Sequence, residues 1–249
     1  MQELYKSGRY FFAVAIIAFG VIQFIAGDFM AGLLPVSETL PGRKLFLYLV
    51  STLFLVGGLG LLVPVSYKHA ARFVGYLFLI LVIYPHLAAL IPGIKNPGPW
   101  TSTAECLALC GGAFIISGSP KFISIGKIVF AISLVVFAVQ HFLYADFIAT
   151  LIPEWIPLKV FLAYFIGVAF TLASISILLN IKTRLACCLL GFMFLFWVIF
   201  LHAVRVAGSP QKETEWTSLF VAIGFCGIFF YTASLFPRKP DEISTRHLR

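Results

Sequence analysis

Eight long apolar runs constrain this chain more than any other feature of its sequence. Hydrophobic residues make up 61% of the 249 residues and charged residues 11%, whereas a soluble domain has about 25% charged residues. A helix crosses the roughly 30 Å hydrocarbon core of a bilayer in about 20 residues, and barrel strands would be about half that length. The sequence therefore predicts an all-α membrane protein with eight transmembrane helices, at Phe11–Gly27, Lys44–Val63, Arg72–Ile91, Thr101–Ser117, Val129–Ala145, Val160–Leu179, Leu185–Val206 and Ser218–Phe236.

The second half of the chain repeats the first. Gly8–Pro35 aligns without a gap with Gly126–Pro153 at a shift of 118, and after the first loop the shift becomes 116. At the second shift His86 pairs with His202. Each copy holds four helices, so both copies begin on the same side of the membrane. We therefore expect two parallel-repeated four-helix bundles, in residues 1–118 and 119–237, followed by a polar cytoplasmic tail at 238–249.

The net charge of +8 is unevenly distributed along the chain. Twelve of the eighteen Lys and Arg residues fall on the side of the membrane that holds the N-terminus of the chain, and seven of the ten acidic residues fall on the opposite side. By the positive-inside rule this places both termini in the cytoplasm. The basic surplus indicates topology and contact with the lipid bilayer, not nucleic acid. No small-residue cleavage site follows the first run, so we expect no removable signal peptide.

Ionisable side chains are costly inside a bilayer, so the few that occur there are candidate functional residues. They lie toward the outer side of the predicted helices, and the inner halves have none apart from their basic ends. We expect an outward-facing polar pocket, one in each half or one shared between halves. Its candidate residues are His86, His141, His202, Asp28, Asp146, Glu105, Arg205, Tyr144 and Gln23, with Trp100 and Trp216 at the rim.

The two copies differ at several of these positions. His141 replaces Gln23 of the first copy, and Arg205 replaces Ala89, whereas Glu105 of the first copy becomes Val221 in the second. A duplicated scaffold in which one half has specialised produces this pattern, and so does drift.

Each candidate also has a structural interpretation. A histidine near the interface is often held by a backbone carbonyl or a water, and a Trp-Thr-Ser sequence suits an interfacial aromatic belt with a helix cap. The functional interpretation is a ligand-facing donor or a proton-transfer group, because imidazole titrates near neutral pH. No His-x-x-x-His, Glu-x-x-His or Cys-x-x-Cys spacing occurs, so the sequence predicts no metal site.

Short motifs in the second copy resemble the DoxX-like membrane proteins. They are Phe130-Ala131, Gln140-His141-Phe142, Tyr144-Ala145-Asp146-Phe147 and Pro153, together with a basic residue before the second helix and a histidine late in the third. Members of that family are usually single four-helix units, and this chain resembles two of them fused. The resemblance implies a protein of the cytoplasmic (inner) membrane, associated with quinone-linked oxidoreductase systems. The missing Cys-x-x-Cys argues against direct thiol–disulfide chemistry.

Three functions remain open from the sequence, and whether the chain is an enzyme is not decided by it. The first is a redox-associated membrane subunit that binds a quinone or similar amphiphile and works with an oxidoreductase partner protein. The second is a non-enzymatic binding or transport protein for a small amphiphilic or anionic solute, with Arg205 as the partner of the anion. The third is a scaffold for a partner complex.

Overall fold

The computed structural model describes residues 7–236, and within that range every regular element is a helix. The predicted tail at 238–249 lies outside the described residues. The helices, numbered in chain order, are α1 Gly8–Ala26, α2 Arg43–Leu62, α3 Tyr67–Leu90, α4 Pro97–Ile116, α5 Pro120–Leu143, a short α6 Ala145–Leu151, α7 Lys159–Leu179, α8 Thr183–Gly208 and α9 Glu213–Ser234.

Seven of the described helices, α1, α2, α3, α5, α7, α8 and α9, are long and apolar enough to cross a membrane. They indicate a multi-pass integral membrane protein, and their positions match seven of the eight expected spans. The remaining helix, α4, has 20 residues but carries Thr101, Ser102, Thr103 and Glu105 in its first half, which lowers its hydropathy. Most of α4 is buried against other helices.

The long helices form a ring in which each packs on its neighbours in the chain, and α9 packs on α1 to close it. Neighbouring helices are antiparallel: Gly20 of α1 approaches Ser51 of α2, while Gly58 approaches Ala13. Across the middle of the ring α4 contacts α9, and these two run parallel, since Leu109 approaches Gly224 while Gly112 approaches Ile228. We call the end that bears residues 27–42 and 144–158 the loop face. The opposite end is the basic face, with Lys68, Lys121, Lys127 and Lys182.

Glycines let two helix pairs, α1–α9 and α4–α5, approach backbone to backbone. A Cβ at Gly227 of α9 would lie 2.5 Å from the carbonyl oxygen of Gly8 in α1. A Cβ at Gly111 of α4 would lie 2.7 Å from the carbonyl oxygen of Gly126 in α5. Small residues are favoured at such contacts because lipid offers no hydrophobic driving force for helix association. The ring is therefore closed by van der Waals packing at these two points.

Phenylalanines fill the interior on either side of the α4–α9 contact. On one side Phe54 contacts Phe19 and Phe78, with ring centroids 6.0 and 5.3 Å apart. On the other side Phe194 contacts Phe225 at 5.4 Å and Phe170 at 6.1 Å. These clusters separate the polar residues near the loop face from the basic face.

The two loops expected after α1 and α5 differ. The first folds back into the bundle, where Met30, Leu33 and Leu34 are fully buried. The second begins with a short helix, because residues 145–151 form α6. The absence of proline between 145 and 152 and the run of helix-compatible residues allow this extra turn of helix.

Candidate functional site at the loop face

A π-helical segment interrupts both helices that carry the paired histidines. In α3 it covers Val82–His86 and in α8 it covers Val198–His202, so each segment ends on the histidine. Short π segments inside α-helices are frequent at functional sites. Pro85 explains the loss of regular bonding in α3, but Leu201 occupies that place in α8, so proline is not the common cause. These segments were not predicted from the sequence, in which Pro85 was the only signal for one of them.

His86 is fully buried near the loop face. Its Nδ1 lies 3.3 Å from Oγ1 of Thr103 in α4. The backbone of Leu33, in the folded-back loop, lies beside the ring, but Nε2 has no hydrogen-bond partner of normal geometry. Nε2 therefore makes no regular hydrogen bond, although the Leu33 backbone is close to the ring.

Gln23 is also fully buried, one turn from the loop-face end of α1. Neither Nε2 nor Oε1 of its amide has a hydrogen-bond partner. Gln140 of α5 is a useful contrast, because its Nε2 donates to the carbonyl of Pro97 at 3.0 Å and its Oε1 accepts from Thr101 at 3.2 Å. The free amide of Gln23 is thus not a general property of glutamines in this interior.

His202 and Arg205 of α8 lie on one helical face with Glu215 of α9 opposite. The guanidinium of Arg205 donates to both carboxylate oxygens of Glu215, at 2.7 and 3.1 Å. Nδ1 of His202 is buried and has no hydrogen-bond partner. Arg205 was predicted as an anion partner, and its charge is already engaged by Glu215, which the sequence analysis had not singled out.

His141 has a structural partner in its own helix. Its Nδ1 lies 2.8 Å from the carbonyl oxygen of Phe137, and its ring meets the edge of Phe170 with centroids 5.3 Å apart. Tyr144 and Asp146, which belong to the same predicted pocket, are exposed, and the helix is interrupted at Tyr144. No hydrogen bond links His141 with either of them among residues 7–236. The structure therefore does not join these three residues by hydrogen bonds.

Asp28 lies at the surface, just beyond α1. Its carboxylate forms an ion pair with Arg43 at the start of α2 and accepts a hydrogen bond from the backbone N–H of Phe29 at 2.6 Å. These contacts fix the first residues of the folded-back loop. They give Asp28 a structural role in positioning Met30 and Leu33 over the end of the bundle.

Glu105 lies deep among the helices, yet part of its surface stays accessible. It is one turn before Leu109, which approaches Gly224, so it lies on the side of α4 that faces α9. In the described part of the chain its carboxyl group has no hydrogen bond or ion pair. The carboxyl group of Glu105 is therefore also an unpaired polar group, and it lies on α4, which contacts the second half of the chain through α9.

Trp100 and Trp216 each border a lipid-facing groove near the loop face. Their indole N–H groups donate to the carbonyls of Ile94 and Pro210, both at 2.9 Å. The groove beside Trp216, between α1 and α9, has a volume of about 770 Å³, and the groove beside Trp100, between α4 and α5, about 290 Å³. The tryptophans are held rigidly at the rims of these grooves.

The predicted residues thus share one end of the bundle but are not linked to one another there. Gln23, His86, His141 and His202 all lie within about 10 Å of a loop-face helix end at 1.5 Å per residue. Among residues 7–236, none of the predicted residues is joined to another of them by a direct hydrogen bond. Arg205 has a side-chain partner, but this partner, Glu215, lay outside the predicted set. Thr103, the partner of His86, was also missed, although it belongs to the polar start of α4.

Within residues 7–236 no group of three or more His, Cys, Asp or Glu side chains is placed to hold a metal ion. Comparisons of the chain with protein-family models, with curated proteins and with solved structures gave no match.

Proposed function

We propose that this chain is a membrane protein of two parallel four-helix units that binds a small amphiphile with a carbonyl-bearing headgroup near the loop face. A quinone is the best chemical match. In this proposal α4 is the eighth membrane span, shielded from lipid by α3, α5 and α9, which accounts for its lower hydropathy. The two units correspond to residues 1–118 and 119–237.

Matching contacts at a shift of 116 residues support the parallel repeat. The thiol of Cys110 lies 3.2 Å from the Gly75 carbonyl, and that of Cys226 lies 3.4 Å from the Gly191 carbonyl. The two indole hydrogen bonds and the two π-helical segments match at the same shift. In the contacts Gly8–Gly227 and Gly111–Gly126, the first helix of each unit packs on the last helix of the other unit. A pseudo-twofold axis between α4 and α9 would require this arrangement.

One observation carries the proposed function: buried amide and imidazole atoms without partners lie near the loop face. They are both amide atoms of Gln23, Nε2 of His86 and Nδ1 of His202. The other unpaired buried side-chain atoms of residues 7–236 are the Nε atoms of Arg9, Arg43 and Arg72, whose guanidinium groups make other contacts. Leaving a buried donor or acceptor unpaired costs about 1–3 kcal/mol, so such atoms usually have a functional reason. A ligand carbonyl would accept a hydrogen bond from the amide or from an imidazole N–H. The neighbouring phenylalanine clusters suit a flat, apolar ring.

The alternative of an anionic solute has less support. Its expected partner, Arg205, is held bidentately by Glu215. A neutral carbonyl compound needs no free cation and is already concentrated in the bilayer.

The remaining assignments follow from the resemblance and the charge pattern. We propose a DoxX-like protein of the cytoplasmic membrane, with the basic face in the cytoplasm, serving a quinone-linked oxidoreductase partner. In the described part of the basic face every charged side chain is basic, in keeping with the positive-inside rule.

Binding of a short-chain quinone to the purified protein tests the proposal. We expect saturable quenching of tryptophan fluorescence, and about tenfold weaker binding in Gln23→Leu or His202→Leu, the loss expected for one hydrogen bond from a buried group. The variant Gln140→Leu is the matched control and should bind normally, since its amide is already paired. If the unaltered protein binds no quinone, the proposed ligand is wrong. If all three variants bind alike, the site is elsewhere.

A further inference from the structure

A third groove lies between α7 and α8, away from the polar residues of the loop face. Its volume is about 590 Å³, and its walls are exposed apolar side chains, including Leu172 and Leu189. It extends along α7 from Phe165 to Ser176, about 17 Å at 1.5 Å per residue. Its far end lies at Lys182, on the basic face. The groove therefore combines a long apolar channel with one positive charge at its mouth.

Two positions of the groove carry smaller side chains than their counterparts in the first half. At a shift of 116 residues, Ala169 and Leu189 of the groove correspond to Leu53 and Phe73. The ring of Phe73 packs against α2, 3.3 Å from the Cβ position of Gly57. Ala169 and Leu189 leave more space at these two positions of the groove.

Lys182 is held at the mouth of the groove by a well-bonded turn. Asn180 and Lys182 both have left-handed backbone conformations, with φ of 56° and 51°, which residues with a Cβ rarely adopt. Thr183 Oγ1 donates to the Ser176 carbonyl at 2.8 Å, and Ser176 Oγ donates to the Ile181 carbonyl at 2.6 Å. The lysine is exposed, and its ammonium has no partner among residues 7–236. In the first half Ser66 occupies this position.

We propose that this groove binds one acyl chain of an anionic phospholipid, with the lipid phosphate at Lys182. Lys127, which bonds Asn180, and Arg184 add positive charge to the same corner of the basic face. Basic residues at the membrane surface attract anionic headgroups, while the apolar channel excludes a free anion.

Lipid binding to the full chain in neutral detergent tests this inference. Native mass spectrometry with phosphatidylglycerol and phosphatidylcholine of identical acyl chains should show one tightly held phosphatidylglycerol. The preference should fall about fivefold in Lys182→Gln, the factor expected for one lysine at an anionic lipid. The control Lys68→Gln removes a lysine of the basic face outside the groove and should keep the preference.

A second variant tests the channel itself. Ala169→Leu combined with Leu189→Phe introduces the residues of the first half and should abolish tight binding of either lipid, with unfolding temperature as the check on folding. Equal binding of the two lipids by the unaltered protein would overturn the charge assignment. Retained lipid binding in the double variant would overturn the proposed location of the site. A dimer that covers the groove would show that its occupant is a second copy of the chain and not a lipid.

Discussion

Replacing Gly227 by alanine is expected to lower the stability of the protein by about 2 kcal/mol, or roughly 4 to 8 °C in Tm. The added Cβ would lie 2.5 Å from the carbonyl oxygen of Gly8, a backbone atom that cannot move aside without displacing α1. The better helix propensity of alanine offsets about 1 kcal/mol of the steric cost. Thermal unfolding in detergent, followed by the reactivity of the buried cysteines Cys106, Cys110, Cys187 and Cys226, measures the change.

Gly208→Ala is the matched control for this substitution. No atom lies within 4 Å of the Cβ position at Gly208, so the variant should unfold at the normal temperature or slightly above it. Gly111→Ala should behave like Gly227→Ala, because its Cβ would meet the Gly126 carbonyl at 2.7 Å. If Gly227→Ala unfolds no earlier than Gly208→Ala, the α1–α9 contact does not close the ring as described.

Gln23→Leu is expected to raise the stability of the ligand-free protein by about 1–3 kcal/mol, the cost of a buried polar group without a partner. Leucine has a similar size, suits a helix and leaves no amide to desolvate. The same variant is expected to weaken quinone binding. A gain in stability combined with a loss of binding is characteristic of a residue retained for function. The unfolding temperature without ligand and the fluorescence titration together measure both effects.

Gln140→Leu should change stability in the opposite direction. It removes one hydrogen bond to the Pro97 carbonyl and one from Thr101, with an expected loss of about 1 kcal/mol. The two glutamines thus differ in sign for the same chemical change. Should Gln23→Leu destabilise the protein as much as Gln140→Leu does, the amide of Gln23 has a partner in the protein, and the main support for a ligand near the loop face is lost.

Parts of the candidate site could be predicted from residue positions, because depth in a helix follows from counting residues. His86 and His202 were expected near the loop-face ends of the third and seventh spans, and the structure places them there. Their hydrogen bonding could not be predicted in the same way. Thr103 reaches His86 from α4, and Glu215 reaches Arg205 from α9, and both contacts depend on how helices pack and not on local sequence.

The sequence alone determined that this chain folds in a lipid bilayer, and it determined the approximate position of each helix. Both depend on the hydropathy of about twenty consecutive residues, which is a local property. The tertiary structure alone decided that α9 packs on α1, that α3 and α8 contain π segments, that the first loop covers His86, and that Gln23 has no partner. These features arise from contacts between residues far apart in the chain, where a difference of one methyl group decides whether two backbones can meet.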